Sequence, residues 1–560
     1  MIDALRRLGS PSTLVLVIVG VALGGLLVGY EPIGGDPDRL YRPLKSELSR
    51  ALHDGHLPFW SDRLGLGVPL IAESHVAAFY PPNWLLYRVL DVAPAYRLSM
   101  WLHYLALAGT MYVYARGLGL FPWGAALAAL VFTLCGAQAI HSSHEPLYTA
   151  LPFLPIALHV SERYLATGRV TALGLLALIW AAQLTVGHFQ IQFWTAALVL
   201  ATALCRLVQR QSSPWRAAAT AGALICGAGI AAVQLVLSWD LAQLVGSTRR
   251  PPRELFFFWY PVAHWPELAI PRLFHGLKGG PEDPYWFKQG TTGYEACLYV
   301  GTVALILAFI GLTDRRHRAL DLWRFVVPTS FAIATIPSWW PAGYYAFLQL
   351  PGAGAFRAPG RYTILTSLGL ALLAGCGFDR AIARRRYWSG IALAATFGAV
   401  AVGWALYWAQ RPDYRAGASG DDVLRFISLA ALSWAASFAV GGVARREDWT
   451  GGAPSDGRRR TEPSLLSQHD GLGRVRGLTG SERSVAPSRS RDECGHGGRL
   501  RGRSARSRRP FACVSVSRDA SAGAEQPARI RPRSASRGGS TSDSNTAALR
   551  RDPWRLGSSD

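Results

Sequence analysis

The chain has 560 residues, 50% of them hydrophobic and 17% charged, with a formal net charge of +22. It is too apolar and too charge-poor for an ordinary soluble protein of this size, and it reads as a polytopic membrane protein. The averages conceal a break near residue 447, where the apolar runs stop and a stretch rich in Arg, Ser and Gly begins.

A segment of about 20 apolar residues crosses a hydrocarbon core of roughly 30 Å, and about twelve candidate spans meet that measure. In chain order they lie near 11 to 30, 96 to 116, 121 to 140, 147 to 162, 170 to 187, 190 to 206, 217 to 237, 296 to 313, 324 to 339, 361 to 378, 388 to 409 and 423 to 443. The expected fold is therefore all-α, a polytopic membrane helix bundle. Within 170 to 206, "LTVGHFQIQF" reads either as a turn between two spans or as the break in one discontinuous helix. Basic residues arbitrate, since Lys and Arg concentrate in short cytoplasmic loops. With the amino terminus inside, Arg6 and Arg7, then Arg206, Arg210 and Arg216, then "DRRHRALDLWR", "DRAIARRR" and "ARRED" all fall on the cytoplasmic side. One span fewer puts the last four groups outside, so the turn is preferred and both termini are cytoplasmic. No small-residue cleavage site cleanly follows the first span, which reads as an anchor.

This topology leaves two long outer loops, 31–95 and 238–295, and shorter ones holding "HSSHEP" and "WWPAGYYAFLQLPGAGAFRAPGR". In the first loop Leu40, Leu44, Leu48, Leu52 and Leu57 recur at near-helical spacing between charges, which predicts an amphipathic helix lying along the interface. "AFYPPNWLLYRVL" follows, with Trp and Tyr suited to the headgroup level. No Walker-type loop is present, and the seven cysteines lack paired C-x-x-C spacing.

The stretch "DPDRLYRPLKSELSRALHDGHLPFWSDRLGLGVPLIAESHVAAFYPPNWLL" resembles the first-loop signature of the bacterial YfhO-type membrane proteins: an Asp after the first span, then a Pro, "G.LP.W", "G.P" and "FYP". "GHFQIQFW", "WPELAIPRLFHG", "GYEACLYVG" and "FRAPGRY" follow in the family's order, so the resemblance covers roughly residues 10–445. It implies a GT-C-like glycosyltransferase that takes a sugar from a polyprenyl-phosphate donor and passes it to an envelope glycan or glycoprotein acceptor outside the bacterial cytoplasmic membrane. Membrane lipid is the other implied partner, and no specific nucleic acid is.

In the GT-C superfamily the general base is typically an Asp of the first outer loop. The matching positions are Asp36 and Asp38, with Asp36 favoured because its distance to Pro43 resembles the family spacing. The competing reading is that both aspartates cap the helix that follows. For the leaving phosphate the candidates are Arg357 and Arg361 in "FRAPGRY", with Arg39 and Arg42 as weaker ones, because the guanidinium fork matches phosphate oxygens. Arg at a span end also simply snorkels to the interface. Glu73, His75, His141, His144, Glu145, His188, Gln190 and Glu295 all face the same side under this topology and are candidates for one polar cavity, each weighed against a solvated loop. Some GT-C enzymes use a divalent cation, the one candidate cofactor, but the spacing of His141 and His144 matches no zinc signature and no metal site is assigned.

A second class of function fits the same span count: a secondary transporter, or a lipid or polysaccharide flippase. Against it, charges cluster in outer loops and span interiors such as "ALILAFIGL" are uncharged. The tail from 447 is Arg-rich without apolar periodicity and is expected to be disordered. The resembling family continues there with an outer domain and a final span. Abrupt replacement by Arg, Ser, Gly, Pro and Ala is what a GC-rich gene yields out of frame, so the tail is read as a frameshift product. Translating the other frames checks this: none resuming a membrane-type sequence would dismiss it.

Overall fold

Helices make up the regular structure of the described residues in the computed structural model, which are 10–32, 35–246, 255–275, 283–315, 317–350, 352–383, 388–411 and scattered positions from 427 to 434. The β-type pairing among them is an isolated bridge between Ser61 and Val68. The span expected at 423–443 falls largely, and the tail from 447 wholly, outside the described residues, as do Arg6, Arg7 and "ARRED".

Helix α1 (Pro11–Ala22) is capped by Ser10, whose Oγ accepts from the Thr13 amide, and it stops short of the expected boundary at 30. Gly24 and Gly25, poor helix formers, open a 3₁₀ segment at Gly24–Val28 instead. A π-turn at Pro37–Tyr41 leads into α2 (Arg42–His53), and α3 (Pro81–Val89) completes the first outer loop. Then come α4 (Val92–Gly117), α5 (Pro122–Leu134), α6 (Gly136–Ile140), α7 (Glu145–Ala150), α8 (Phe153–Thr167), α9 (Val170–Leu184) and α10 (Phe189–Val208). The second half holds α11 (Pro214–Ile230), α12 (Ala232–Leu244), α13 (Pro284–Lys288), α14 (Thr302–Leu312), α15 (Asp321–Trp339), α16 (Pro341–Leu348), α17 (Thr363–Ile382) and α18 (Trp388–Ala409).

A helix occupies each expected span position up to residue 409, but length and apolarity together are met by fewer. Among the described residues Pro122–Ser143, Phe189–Val208, Arg318–Trp339, Pro359–Ile382 and Trp388–Trp408 qualify, giving five, or six if α11 and α12 are one span broken by their 72° bend. Helices α1, α9 and α14 are apolar but shorter. The expected span at 296 to 313 is helical only from Thr302, because Gly301 sits at φ +98° and interrupts the backbone. "LTVGHFQIQF" is a turn between α9 and α10. Its Gly187 packs so closely on the first outer loop that a Cβ there would lie 2.0 Å from the Ser74 carbonyl oxygen.

Helix α17 is central, packing on α5, α14 and α15. Small residues allow the approach: a Cβ on Gly377 would lie 1.9 Å from the Leu307 carbonyl of α14, and one on Gly375 2.4 Å from the Gly124 carbonyl of α5. Close backbone contact of this kind supplies the dispersion that holds helices together where lipid removes the hydrophobic drive.

The segment 31–95 has a core of its own, and the leucine stripe of α2 turns into it. Leu44, Leu48 and Leu52 of α2 pack inward with Leu70, Val76, Leu86 and Tyr87, while Leu40 is exposed. Each buried leucine contributes about 1.5–3 kcal/mol relative to exposure. The apolar stripe that sequence assigns to lipid is thus covered by α3 and the start of α4.

Candidate functional site

Asp36 stands at the start of the π-turn with helical φ and ψ, and its side chain makes no capping hydrogen bond. Its carboxylate is 56% exposed, with Oδ2 3.7 Å from Nε2 of His144. His144 Nδ1 lies 3.4 Å from His141 Nδ1, and the two rings meet edge to face. His141 Nε2 is 3.9 Å from Oε2 of Glu295. Glu295 in turn accepts from Arg361, whose Nε lies 3.0 and 2.9 Å from its two oxygens. A row of ionisable groups, Asp36–His144–His141–Glu295–Arg361, therefore runs inward from the loop surface. It is assembled from "DPD", "HSSHEP", "GYEA" and "FRAPGR".

Burial alone would raise the Glu295 carboxyl, but the Arg361 guanidinium, followed by His141, pulls it down to about 2. Burial lowers His144, helped by Arg361, and lowers His188 well below the usual imidazole range. Both rings are neutral at physiological pH. Arg361 spends Nε and Nη2 on Glu295, while Nη1 makes no hydrogen bond to the described residues. Arg357 is exposed, sits over the Phe258 ring at 5.7 Å, and forms no ion pair with a described residue. In "FRAPGR", the cationic capacity that no described residue neutralises is thus Arg357 and one edge of Arg361.

Beside the row, Lys45 of α2 is fully buried against Glu145 of α7 at 3.2 Å, and its ammonium also donates to the His75 and Val76 carbonyls at 3.1 and 3.0 Å. Burial pushes Lys45 down and Glu145 up. Three acceptors surround this one nitrogen, as many as an ammonium has protons. It ties the first outer loop to the "HSSHEP" turn. Glu73 caps its own short turn by accepting from the His75 amide and pairs with the His75 ring at 2.9 Å. His188 caps α10 through Nδ1, accepting from the Ile191 amide, which leaves Nε2 to carry the proton. Gln190 reaches toward the Arg357 and Ala358 carbonyls, both at 3.5 Å.

The remaining candidate arginines make no ion pair with the row among the described residues. Arg39 is exposed. Arg42 is spent on Glu31 at 3.0 Å and Asp38 at 3.1 Å. Asp38 is thereby engaged within its own helical turn, unlike Asp36.

Sequence reasoning missed three participants. Tyr41 is buried with its ring edge toward His75, and burial followed by the Asp36 charge raises its phenol. Lys45 reads in sequence as the polar face of α2. Glu31, which binds both Arg42 and Arg97, follows the first span with no pattern to mark it. Glu31 also lines a cavity of about 410 Å³ between the end of α1, α4 and the α5–α6 junction. Leu23, Leu26, Met100 and Leu134 are among its apolar lining, and Ser142, next to His141 in the chain, is among its polar lining.

Among the described residues no group of three or more His, Cys, Asp and Glu side chains fits a metal ion. The donors of the row lie against one another in pairs. No family model matches the chain, and no curated protein matches it either.

Proposed function

We propose that the chain is a YfhO-type, GT-C-like glycosyltransferase of the bacterial cytoplasmic membrane, moving a sugar from a polyprenyl-phosphate donor to an outer envelope acceptor. The observation that carries this reading is the row that leads from an exposed carboxylate, Asp36, through two histidines toward Arg361, whose Nη1 is uncommitted, with Arg357 exposed in the same segment and an apolar cavity whose lining includes Ser142, the chain neighbour of His141. The donor's hydrocarbon tail follows the cavity, and its phosphate lies toward Arg357 and Arg361. Asp36 takes the proton of an acceptor hydroxyl as that oxygen attacks the anomeric carbon. The bond from that carbon to the phosphate oxygen breaks, and the polyprenyl phosphate leaves with the bonding pair. Attack opposite the leaving group inverts the anomeric centre. The guanidinium groups stabilise charge that grows on the leaving phosphate in the transition state.

The reading is tested with the purified full chain in lipid vesicles, offered a radiolabelled polyprenyl-phosphate sugar and envelope glycan. Asp36→Asn is expected to slow transfer by roughly 10²–10⁴, the usual worth of a general base, while Asp38→Asn stays near wild type. Undiminished transfer by Asp36→Asn would overturn the assignment of the base. Transmembrane flux of the lipid-linked sugar without transfer would favour a carrier.

A further inference from the structure

Ser61 and Val68 pair across an antiparallel bridge, with amide-to-carbonyl distances of 2.9 and 2.8 Å. The bridge closes a hairpin in the first outer loop whose tip turns through two left-handed glycines, Gly65 at φ +60° and Gly67 at φ +112°. Leu66 between them is fully exposed, and Phe59 and Trp60 at the other arm are 61% and 60% exposed. This is a concentration of large apolar side chains on a segment that takes no part in the polar row.

The hairpin is held firmly in place. Ser61 Oγ donates to the buried Glu47 carboxylate of α2 at 2.6 Å. A Cβ on Gly67 would lie 2.4 Å from the Trp60 indole, so the ring rests against the turn and keeps a fixed direction. Leu64 packs on the loop core to which Leu90, Val92 and Leu98 also belong. Val92 and Leu98 lie at the start of α4 and Leu90 just after α3, which exposes Trp84, Leu85 and Val89. The hairpin and α3 thus each present exposed apolar side chains from one loop core, which also takes in the start of α4.

We propose that the hairpin at residues 59–68 is a membrane anchor, inserting Phe59, Trp60 and Leu66 into the outer leaflet. Tryptophan suits the headgroup level, with its ring in the acyl boundary and its N–H toward water. The aliphatic tip supplies burial below it, and Arg63, exposed on the same turn, meets lipid phosphate. The anchor fixes the height of the loop, and with it Asp36, over the bilayer. It stands whether or not the transfer reading does.

Nitroxide labels at Leu66→Cys and, as a control, at the exposed Asp54→Cys are placed in the full chain with its native cysteines replaced. The chains are reconstituted in vesicles of equal phosphatidylcholine and phosphatidylglycerol and checked for monodispersity. The label at 66 is expected to collide preferentially with dissolved oxygen and the label at 54 with a water-soluble nickel chelate. Nickel-preferring collision at 66 would put the tip in water and overturn the anchor. Protection from both reagents would mean that protein covers the tip, which overturns it equally.

Discussion

Lys45 shows how much of the outer site rests on single residues. Its ammonium is the only cation touching the buried Glu145 among the described residues, so Lys45→Met leaves a carboxylate without compensation. Breaking a buried pair from one side costs about 3–5 kcal/mol, whereas replacing both partners by apolar groups is often neutral. Thermal unfolding in detergent should therefore drop for Lys45→Met and largely recover in Lys45→Met with Glu145→Leu; no recovery would deny the pairing. His275 supplies a pH signature. Its Nδ1 donates to Glu267 at 2.8 Å and its Nε2 to the Gly293 carbonyl at 2.9 Å, and these two donors require the protonated ring. Burial alone would lower this imidazole, but Glu267 raises it above its usual value. A raised folded pKa gives stability that is complete below the unfolded value of about 6.5 and is lost as pH rises through the folded one. The melting-temperature gap between wild type and His275→Gln should thus shrink from pH 6 to pH 9. A constant gap would mean that the ring is neutral throughout. The stake is functional as well, since Gly293 lies two residues before Glu295, the carboxylate that holds Arg361.

At the scale of elements, the backbone contact between α14 and α17 is the packing most exposed to a small change. Gly377→Ala sets a methyl 1.9 Å from the Leu307 carbonyl, and overpacking of this kind typically costs about 1–3 kcal/mol. Gly403→Ala on α18 meets nothing within 4 Å. The first variant should melt earlier in detergent and the second should not; equal melting would show that α14 yields freely. Neither contact is legible in sequence, where Gly377 is one small residue among several in an apolar run. The direction of α2 was legible only in part. Leucines at four-residue spacing announce an amphipathic helix, but the same stripe fits a lipid surface or a neighbouring helix equally well. Leu70, Val76 and Leu86, brought back by the rest of the loop, decided in favour of protein.

For the whole molecule, the orientation set by the basic loops makes a direct prediction. A cysteine at Asp54 should react with a membrane-impermeant maleimide on intact cells, and one at Arg318 only after permeabilisation. The reverse pattern would invert the topology. The sequence by itself determined the helical class, the approximate positions of the helices up to residue 409 and the segments between them that carry ionisable groups. These depend on local apolar content and on residue types within a few turns of one another. It also marked Asp36, His141, His144, Glu295 and Arg361 individually. Only the tertiary structure decided that they form one row, that Arg361 is half committed to Glu295, and that Arg42 is drawn away by Glu31. Pairing of buried charges is set by which helices pack together, and residues far apart in the chain share no local signal that could announce it.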